Sequence, residues 1–343
     1  MSETLKIGAL GLIHDHVWSN LAALANCDGA ELVAASDSNE PLTARVSREY
    51  CCRTYATHEE LLDSEQLDAV YVFSSNTEGA ELAIRSMERN LHVLSEKPMS
   101  ARLGQADRML AAAAKNGVKL VINWPFAWWP QLQAALTMAK DGAIGKLWGV
   151  KYRAAHAGPK ELGCSEYFCN WLFDRELNGG GAMLDYCGYG CLLSAAMLGQ
   201  PEKVTGIMGG QIKDSLAVED NAVIAMTYGF GIATAEASWT QIGKLTSYTT
   251  AIYGTEGTLR VEPRPEGKLY LATENDPAGR EISLPGQEPR LRDSATHFVS
   301  VARDGAEPWL LCQPDLSRNA QEIMEAGMKS SMQERHILLP LDS

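Results

Sequence analysis

The chain has 343 residues, of which 45% are hydrophobic and 21% are charged. A chain of this length generally folds as about two domains, and this composition excludes an intrinsically disordered protein. No apolar run approaches the roughly 18 residues that a membrane-spanning helix requires. The N-terminus, MSETLKIGALG, has no basic segment followed by an apolar stretch, so we expect a cytoplasmic protein without a membrane segment.

The net charge is −13, with −6 up to residue 122 and −7 beyond it. Such an evenly acidic chain repels nucleic acids and anionic membranes, which excludes those partners and favours small molecules. The eight cysteines contain no C-x-x-C pair and no pattern of zinc ligands. We therefore expect free thiols and no metal site.

Strand-like and helix-like segments alternate over the first 122 residues. Apolar runs predict buried parallel strands at 5–10, 31–36, 69–73, 92–95 and 118–122. Helices are predicted between them, near 15–26, 40–50, 77–89 and 103–116. This alternation predicts an α/β fold with a doubly wound parallel sheet in residues 1–123.

The pattern changes where proline and aromatic residues crowd together over 123–130. Helices are predicted near 130–140, 181–198, 294–303 and 315–330. Strand-like runs lie at 147–156, 203–212, 219–228, 231–240, 247–253 and 257–262. Because most of these runs follow one another through short turns, they predict a large, mostly antiparallel open sheet. We therefore expect an α+β domain over 124–343.

A glycine turn joins the first predicted strand to the first predicted helix. In a Rossmann fold this turn places the helix N-terminus at the cofactor pyrophosphate. Gly11, Leu12, Ile13 and His14 stand there, and we interpret them as cofactor-binding, although Ile13 occupies the second glycine position of the usual G-x-G-x-x-G fingerprint. The alternative is an ordinary strand-to-helix turn in which Asp15 caps the helix.

Asp37 follows the second predicted strand, 26 residues after Gly11. An acidic residue at this place accepts hydrogen bonds from the adenosine ribose and disfavours a 2′-phosphate. Asp37 therefore predicts NAD rather than NADP as the cofactor. The alternative is that Asp37 is only a turn residue.

Two further segments carry groups suited to proton transfer. Lys97, within Glu96-Lys97-Pro98, follows a predicted strand and would point into the ligand crevice. Asp185 and Tyr189 come after the three glycines at 179–181. Their spacing of four residues predicts that they share one face of a helix, and the glycines would let the backbone approach something closely at the helix start.

Five features occur together in this chain: the predicted sheet, the Glu-Lys-Pro motif, the glycine-rich helix start, the segment 253–258 and the end 338–341. In this combination the chain resembles the glucose–fructose oxidoreductase/inositol dehydrogenase (Gfo/Idh/MocA) family. The resemblance extends over essentially the whole chain. It implies a Rossmann domain and an antiparallel-sheet domain, with nicotinamide and substrate meeting between them. It also implies assembly as a homodimer or homotetramer.

The resemblance implies roles for individual residues. Lys97 would bond the reacting oxygen, beside a cis peptide bond to Pro98, and Asp185 would bind or orient the substrate. Tyr189 stands where many members have an acid/base histidine, so it would move the proton. The nicotinamide ribose would be lined by Ser74, Ser75, Asn76 and Glu96.

The chain also departs from the family pattern at two further places. The segment Asn76-Thr77-Glu78-Gly79 lacks the histidine that members often have in this helix. The segment 123–126, Asn-Trp-Pro-Phe, replaces the family's Asn-x-Arg-Phe. With Ile13, these changes affect expected cofactor contacts rather than the fold.

A tyrosine brings different acid–base chemistry from a histidine. In model peptides a phenol ionises at about pH 10 and an imidazole at about pH 6.5, so Tyr189 is a proton donor and a poor base at neutral pH. We expect Lys97 to lower the pKa of Tyr189 by favouring the phenolate. The alternative is that Tyr189 only packs on an apolar helix.

Three tryptophans and one histidine complete the candidate substrate site. Trp124, Trp128 and Trp171 have faces suited to the apolar side of a sugar ring. His156, which ends a predicted strand, is a further pocket candidate. The alternative for each tryptophan is a hydrophobic seam between domains, and for His156 a structural role.

We therefore expect an NAD-dependent oxidoreductase that transfers hydride between nicotinamide and a hydroxyl or carbonyl carbon of a sugar, polyol or glycoside. One alternative is a redox-neutral glycoside lyase or glycosidase that retains its NAD. Another is a protein that binds a sugar or dinucleotide without turnover. Net NAD reduction with glycosides would distinguish the first two, and loss of NAD binding would favour the third.

Overall fold

The computed structural model describes residues 4–209, 212–214, 216–245 and 247–341. The first six strands are β1 (Leu5–Leu10), β2 (Ala30–Ser36), β3 (Arg53–Tyr55), β4 (Ala69–Val72), β5 (His92–Glu96) and β6 (Leu120–Asn123). The helices between them are α1 (His16–Ala25), α2 (Glu40–Tyr50), α3 (His58–Ser64), α4 (Asn76–Glu88) and α5 (Leu103–Asn116). The strands form one parallel sheet in the order β3-β2-β1-β4-β5-β6.

The predicted doubly wound sheet is confirmed. All four residues of β4 are buried, because helices cover both faces of a parallel sheet and its central strands are apolar throughout. The sequence did not predict β3 or α3, since β3 has only three residues, all exposed or half-buried. The strand order reverses between β1 and β4, so the carboxyl ends of these strands flank the crevice where such sheets bind ligands.

The second part of the chain builds a nine-stranded sheet. Its strands are β7 (Leu147–Ala155), β8 (Lys203–Met208), β9 (Asn221–Tyr228), β10 (Gly231–Ser238), β11 (Tyr248–Gly254), β12 (Gly257–Val261), β13 (Leu269–Thr273), β14 (Asp276–Ile282) and β15 (Ile337–Leu338). They lie in the order β14-β13-β12-β11-β7-β10-β9-β8-β15. Among the strands that the structure describes in this sheet, only β7 and β10 pair in parallel, which confirms the mostly antiparallel sheet. The predicted run 203–212 extends past β8 to residues 210 and 211, which lie outside the described residues.

Six helices accompany this sheet in the described part of the chain: α6 (Pro130–Lys140), α7 (Glu166–Leu172), α8 (Arg175–Asn178), α9 (Gly188–Leu198), α10 (Ser294–Ala302) and α11 (Pro314–Gln333). The sequence did not predict the short helices α7 and α8 or the strands β13 to β15. Helices α9 and α11 pack on one face of the sheet. Among the described residues, none of the helices has both the length and the apolar character that crossing a bilayer requires.

A π-helical turn, Met183–Cys187, precedes α9. A Cβ atom on Gly181 would lie 2.1 Å from the carbonyl oxygen of Glu219, so the glycine admits the backbone of a neighbouring segment rather than a ligand. The Glu219 carboxylate then accepts hydrogen bonds from the backbone N–H groups of Gly181 and Met183, at 2.7 and 3.2 Å. The turn that carries Asp185 is therefore fixed from its N-terminal side.

The contact between β8 and α11 gives a test of packing. A Cβ atom on Gly206 would lie 2.0 Å from the carbonyl oxygen of Gly327, so Gly206→Ala must push the strand and helix apart. We expect it to lower the free energy of unfolding by about 1–3 kcal/mol, measured by urea titration. Gly104→Ala is the control, because nothing lies within 4 Å of a Cβ atom there. Equal stabilities of the two variants would contradict this packing.

Candidate active site

The site begins with a buried ion pair between the two parts of the chain. Lys97 follows β5, and its peptide bond to Pro98 is cis, as the resemblance implied. The Lys97 Nζ atom lies 2.6 Å from Asp185 Oδ1, and the two residues are only 4% and 8% exposed. Burial makes each charge depend on the other for compensation, so this pair fixes the end of the parallel sheet against the π-helical turn.

Two tyrosines surround the Lys97 ammonium group. Its nitrogen lies 5.0 Å from the ring centroid of Tyr189 and 5.9 Å from that of Tyr186, within the range of a cation–π contact. The two rings stack, with centroids 6.0 Å apart. Tyr189 was predicted at the site because α-helical spacing places it on the same helix face as Asp185, four positions earlier. Tyr186 was not predicted, because the π turn changes the spacing of side chains around Asp185.

The acid–base state of Tyr189 differs from the expectation. Burial raises the pKa of Tyr189 well above its usual range, and the carboxylates of Glu96 and Asp185 raise it further. The expected lowering by Lys97 is wrong, because Lys97 is paired with Asp185 and desolvation of the phenolate dominates. The phenol is therefore protonated at neutral pH and acts as a hydrogen-bond donor.

His156 lies beside the same cluster. Its Nδ1 atom accepts a hydrogen bond from the Gly158 N–H group at 2.9 Å, so the neutral ring carries its proton on Nε2. Burial lowers the pKa of His156, although the Asp185 carboxylate acts in the opposite direction. Its ring centroid is 5.1 Å from that of Tyr186. His156 is therefore a neutral donor near the ion pair.

A cavity of about 700 Å³ lies on the side of His156. His156 and Tyr248 are part of its wall, and Tyr248 also acts electrostatically on the Tyr189 phenol. Small-molecule sites typically have volumes of about 300–1,000 Å³, so the cavity has the size of a substrate site. Sequence reasoning missed Tyr248, because only the pairing of β11 with β7 brings it here.

The glycine turn has the geometry that a cofactor loop needs. Gly11 has φ +83°, and a Cβ atom there would lie 3.0 Å from the Phe73 carbonyl group, so glycine is required. The Asp37 carboxylate accepts hydrogen bonds from the N–H groups of Leu12, at 2.7 Å, and Asn39, at 2.8 Å. Asp37 and Ile13 line a second cavity of about 290 Å³ at the strand ends. These residues fit the adenosine half of a dinucleotide.

The residues expected around the nicotinamide ribose also lie together. Ser74, Ser75, Asn76 and Glu96 line one cavity with His14. Its volume is about 10 Å³, which is room for about one water molecule. The Asn76 Nδ2 atom donates a hydrogen bond to Asn178 Oδ1 at 2.6 Å. This half of the cleft is therefore closely packed against α8.

His14, His16 and Glu96 place ligand atoms within 4.8 Å of one another. His16 Nδ1 lies 2.9 Å from Glu96 Oε1. His14 Nδ1 accepts a hydrogen bond from the His16 N–H group, and burial lowers the pKa of His14 well below its usual range. A neutral ring bonded in this way presents N–H at Nε2 and no free lone pair to a cation, so the donor set does not suit a metal.

The three tryptophans differ in their surroundings. Trp124 is 0% exposed, and its Nε1 atom donates a hydrogen bond to Ser317 at 3.0 Å, so the structure favours the domain-seam interpretation for it. Trp171 is buried with its ring centroid 5.4 Å from that of His14. Trp128 is half-buried and donates to Asn123. Trp124 packs behind Tyr189, with centroids 5.2 Å apart, and does not face the cavity.

Asp15 does not cap α1, contrary to the alternative considered for it. Its carboxylate instead accepts hydrogen bonds from the N–H and hydroxyl groups of Ser165, at 2.8 and 2.6 Å. Ser165 in turn caps α7 by accepting from the Phe168 N–H group. The cofactor turn is therefore joined directly to the second part of the chain.

Comparison with known proteins identifies the family of this chain. Residues 5–124 match the family model described as "Oxidoreductase family, NAD-binding Rossmann fold", and residues 132–260 match the "GFO/IDH/MocA C-terminal domain". The chain belongs to the Gfo/Idh/MocA oxidoreductase family. This membership confirms the predicted family, the enzyme class of oxidoreductase and NAD as the cofactor.

The similarity of this Gfo/Idh/MocA member to individual relatives is broad but distant. It is 26% identical to D-apiose dehydrogenase of Paraburkholderia graminis, over 95% of this chain and 86% of the relative. It is also 26% identical to dTDP-3,4-didehydro-2,6-dideoxy-alpha-D-glucose 3-reductase of Saccharopolyspora spinosa, over 89% and 90%. The crystal structure of the WlbA dehydrogenase from Bordetella pertussis, in complex with NADH and UDP-GlcNAcA, aligns with a TM-score of 0.82 at 21% identity, over 99% and 100% of the two chains. That likeness supports the fold.

The Asp15–Ser165 contact can be tested with native thiols. Ser165→Ala removes the hydroxyl bond to Asp15 and the cap of α7, while the backbone N–H bond to Asp15 remains. An N-cap contributes about 1 kcal/mol. We expect Cys169, which is buried in α7, to react on the order of tenfold faster with a thiol reagent, as local opening becomes easier. Labelling is followed by mass spectrometry relative to the buried Cys312.

Ser19→Ala is the matched control, because the Ser19 hydroxyl bonds only a carbonyl of its own helix. If Cys169 reacts no faster in Ser165→Ala than in Ser19→Ala, the contact does not hold α7 in place.

Proposed function

We propose that this protein is an NAD-dependent oxidoreductase acting on a hydroxyl or carbonyl carbon of a sugar, polyol or glycoside. The observation that carries the proposal is the buried Lys97–Asp185 pair beside the protonated Tyr189. Tyr186, which contacts Lys97, also packs on His156 in the wall of a substrate-sized cavity. The similar relatives, a D-apiose dehydrogenase and a dTDP-sugar reductase, support a sugar-like substrate. We propose that residues 1–123 hold the cofactor and residues 124–343 form the substrate-binding and oligomerisation domain.

The proposed chemistry assigns one task to each residue. NAD, when bound, supplies the hydride acceptor or, in reduced form, the donor. Lys97 donates a hydrogen bond to the reacting oxygen and stabilises the negative charge that develops on it. Asp185 holds the Lys97 ammonium group in place. Tyr189 donates a proton to the oxygen during carbonyl reduction, and the raised pKa of its phenol keeps that proton in place at neutral pH.

We also propose that the protein forms a homodimer or homotetramer in the cytoplasm. The face of the large sheet opposite α9 and α11 carries three exposed apolar side chains, Ile207, Ile232 and Leu338. The strand registers place them on one side, and burying them against a second copy would remove apolar surface from water. Light scattering of the purified protein distinguishes a monomer from these assemblies.

The assignment of Lys97 and Tyr189 is tested by two substitutions. Lys97→Ala removes the group that polarises the substrate oxygen, and Tyr189→Phe removes one hydroxyl while keeping the ring. We expect each to lower kcat by about 10²-fold or more, with little effect on NAD affinity. The double variant should be far from additive, because the two groups act together. Steady-state rates over a panel of sugars, polyols and glycosides provide the measurement.

Tyr228→Phe is the control, because Tyr228 is buried like Tyr189 but, among the described residues, its ring makes no contact with the Lys97 ammonium group as Tyr189 does. If Tyr189→Phe turns over substrate as fast as Tyr228→Phe, the assignment of Tyr189 as the proton donor is refuted. Conversion of glycosides without net NADH formation would instead support the redox-neutral alternative.

The pH profile tests the proton donor separately. Because the pKa of Tyr189 is raised, the rate of carbonyl reduction should stay level from neutral pH to at least about pH 10, the ordinary phenol value. It should fall only when the phenol ionises, and Tyr189→Phe should be slow at every pH. If the rate of carbonyl reduction instead falls as the pH is raised through about 6.5 or a lower value, His156 is the donor, because burial lowers the pKa of that histidine.

A further inference from the structure

The cavity of about 290 Å³ at the strand ends contains more negative charge than Asp37 alone supplies. Its charged and titratable residues are Asp37, His58, Glu59, Glu78 and Arg85. The Arg85 guanidinium group pairs with Glu59, which neutralises both. Burial lowers the pKa of His58, so this ring is neutral at pH 7. The carboxylates of Asp37 and Glu78 therefore remain without a compensating cation from the cavity wall.

The Glu78 carboxylate is held by neighbours on two sides. It lies in the first turn of α4, where its Oε2 atom accepts a hydrogen bond from the Ser74 hydroxyl group. Its Oε1 atom lies 3.9 Å from His58 Nε2. His58 Nδ1 is 2.8 Å from the Ser36 hydroxyl oxygen at the end of β2. This chain of contacts joins the end of β2 to the start of α4 and directs Glu78 towards the cavity.

The two carboxylates line the same cavity from strands on either side of β1. Asp37 and Glu78 both act electrostatically on His58, which places them around one ring. Asp37 follows β2, while Glu78 follows β4, so they approach the cavity from different sides of its floor. A ligand phosphate entering this space would meet both charges.

We propose that Glu78 is a second determinant of cofactor choice, which acts with Asp37 to exclude a nucleotide carrying a 2′-phosphate. The proposal rests on NAD binding at this cavity, as in the proposed function. A phosphate monoester adds about 1.5 to 2 negative charges at neutral pH, and like charges at short range disfavour binding unless a cation offsets them. Arg85, the one cation of the cavity wall among the described residues, is already paired with Glu59.

Two charges, rather than one, must be removed to eliminate the cofactor preference. Removing the charge of Asp37 alone leaves Glu78 in the cavity, so the preference for the unphosphorylated nucleotide decreases but persists. Removing both charges abolishes most of it. Glutamine and asparagine keep the shapes of the side chains, so the variants Glu78→Gln and Asp37→Asn separate charge from volume.

The experiment compares ADP-ribose with 2′-phospho-ADP-ribose, which differ only at the adenosine ribose and lack nicotinamide. Calorimetric titration of the full chain gives a ratio of dissociation constants for each variant. We expect each single substitution to reduce the preference for ADP-ribose by about tenfold, equivalent to about 1.4 kcal/mol, and the double variant to reduce it further. The effect should weaken when salt is raised from about 50 mM to about 500 mM, because ions screen half-exposed charges.

Glu81→Gln is the matched control. Glu81 lies on the same helix three residues later, but it pairs with Arg108 and does not line the cavity. If Glu78→Gln binds ADP-ribose and has the same ratio of the two dissociation constants as Glu81→Gln, the role of Glu78 is overturned. The proposed function is then unaffected. Failure of the wild-type protein to bind either ADP-ribose or NADH overturns the proposed function and this inference together.

Discussion

The contact between Lys97 and Asp185 connects the two halves of the active site. The lysine comes from the end of the parallel sheet and the aspartate from the π-helical turn of the second sheet domain, and their charged atoms are 2.6 Å apart in a buried environment. Removing either partner would leave the other charge buried without compensation, which is far more costly than losing one partner of a surface pair. The relative position of sheet and turn is therefore coupled to the electrostatics of the reaction centre.

Further contacts between the domains lie at the cofactor loops. Asp15, in the turn after β1, bonds to Ser165, and Asn76, at the start of α4, bonds to Asn178. These two loops flank the crevice where the strand order of the parallel sheet reverses. Groups that would hold the dinucleotide are thus connected to the second part of the chain.

The sequence predicted the parts of this site that depend on local pattern. The buried strands give apolar runs, Gly11 occupies a turn that only glycine fits, and Lys97, Asp185 and Tyr189 belong to motifs that the family resemblance connects. The sequence did not predict contacts made across long separations, such as Asp15 with Ser165, or the entry of Tyr248 through strand pairing. The π turn was missed as well, because it depends on the backbone of Glu219 packing against Gly181.

The direction of the Tyr189 pKa could not be predicted from residue types alone, since a nearby lysine lowers the pKa and burial raises it. In the folded protein burial dominates, and Lys97 is already neutralised by Asp185.

This outcome changes the chemistry available to the site. In the proposed mechanism, a protonated phenol and an ammonium group would both donate hydrogen bonds to the same substrate oxygen, which would stabilise an alkoxide and suit carbonyl reduction at neutral pH. Oxidation of an alcohol needs a proton acceptor instead, and a neutral phenol does not provide one. Asp185 is the carboxylate that contacts Lys97, and it also acts on the neutral His156. Because both directions of the reaction share one transition state at a given pH, oxidation through Tyr189 would use the small fraction of ionised phenol, so it would be slow near neutrality and would accelerate as the pH rises.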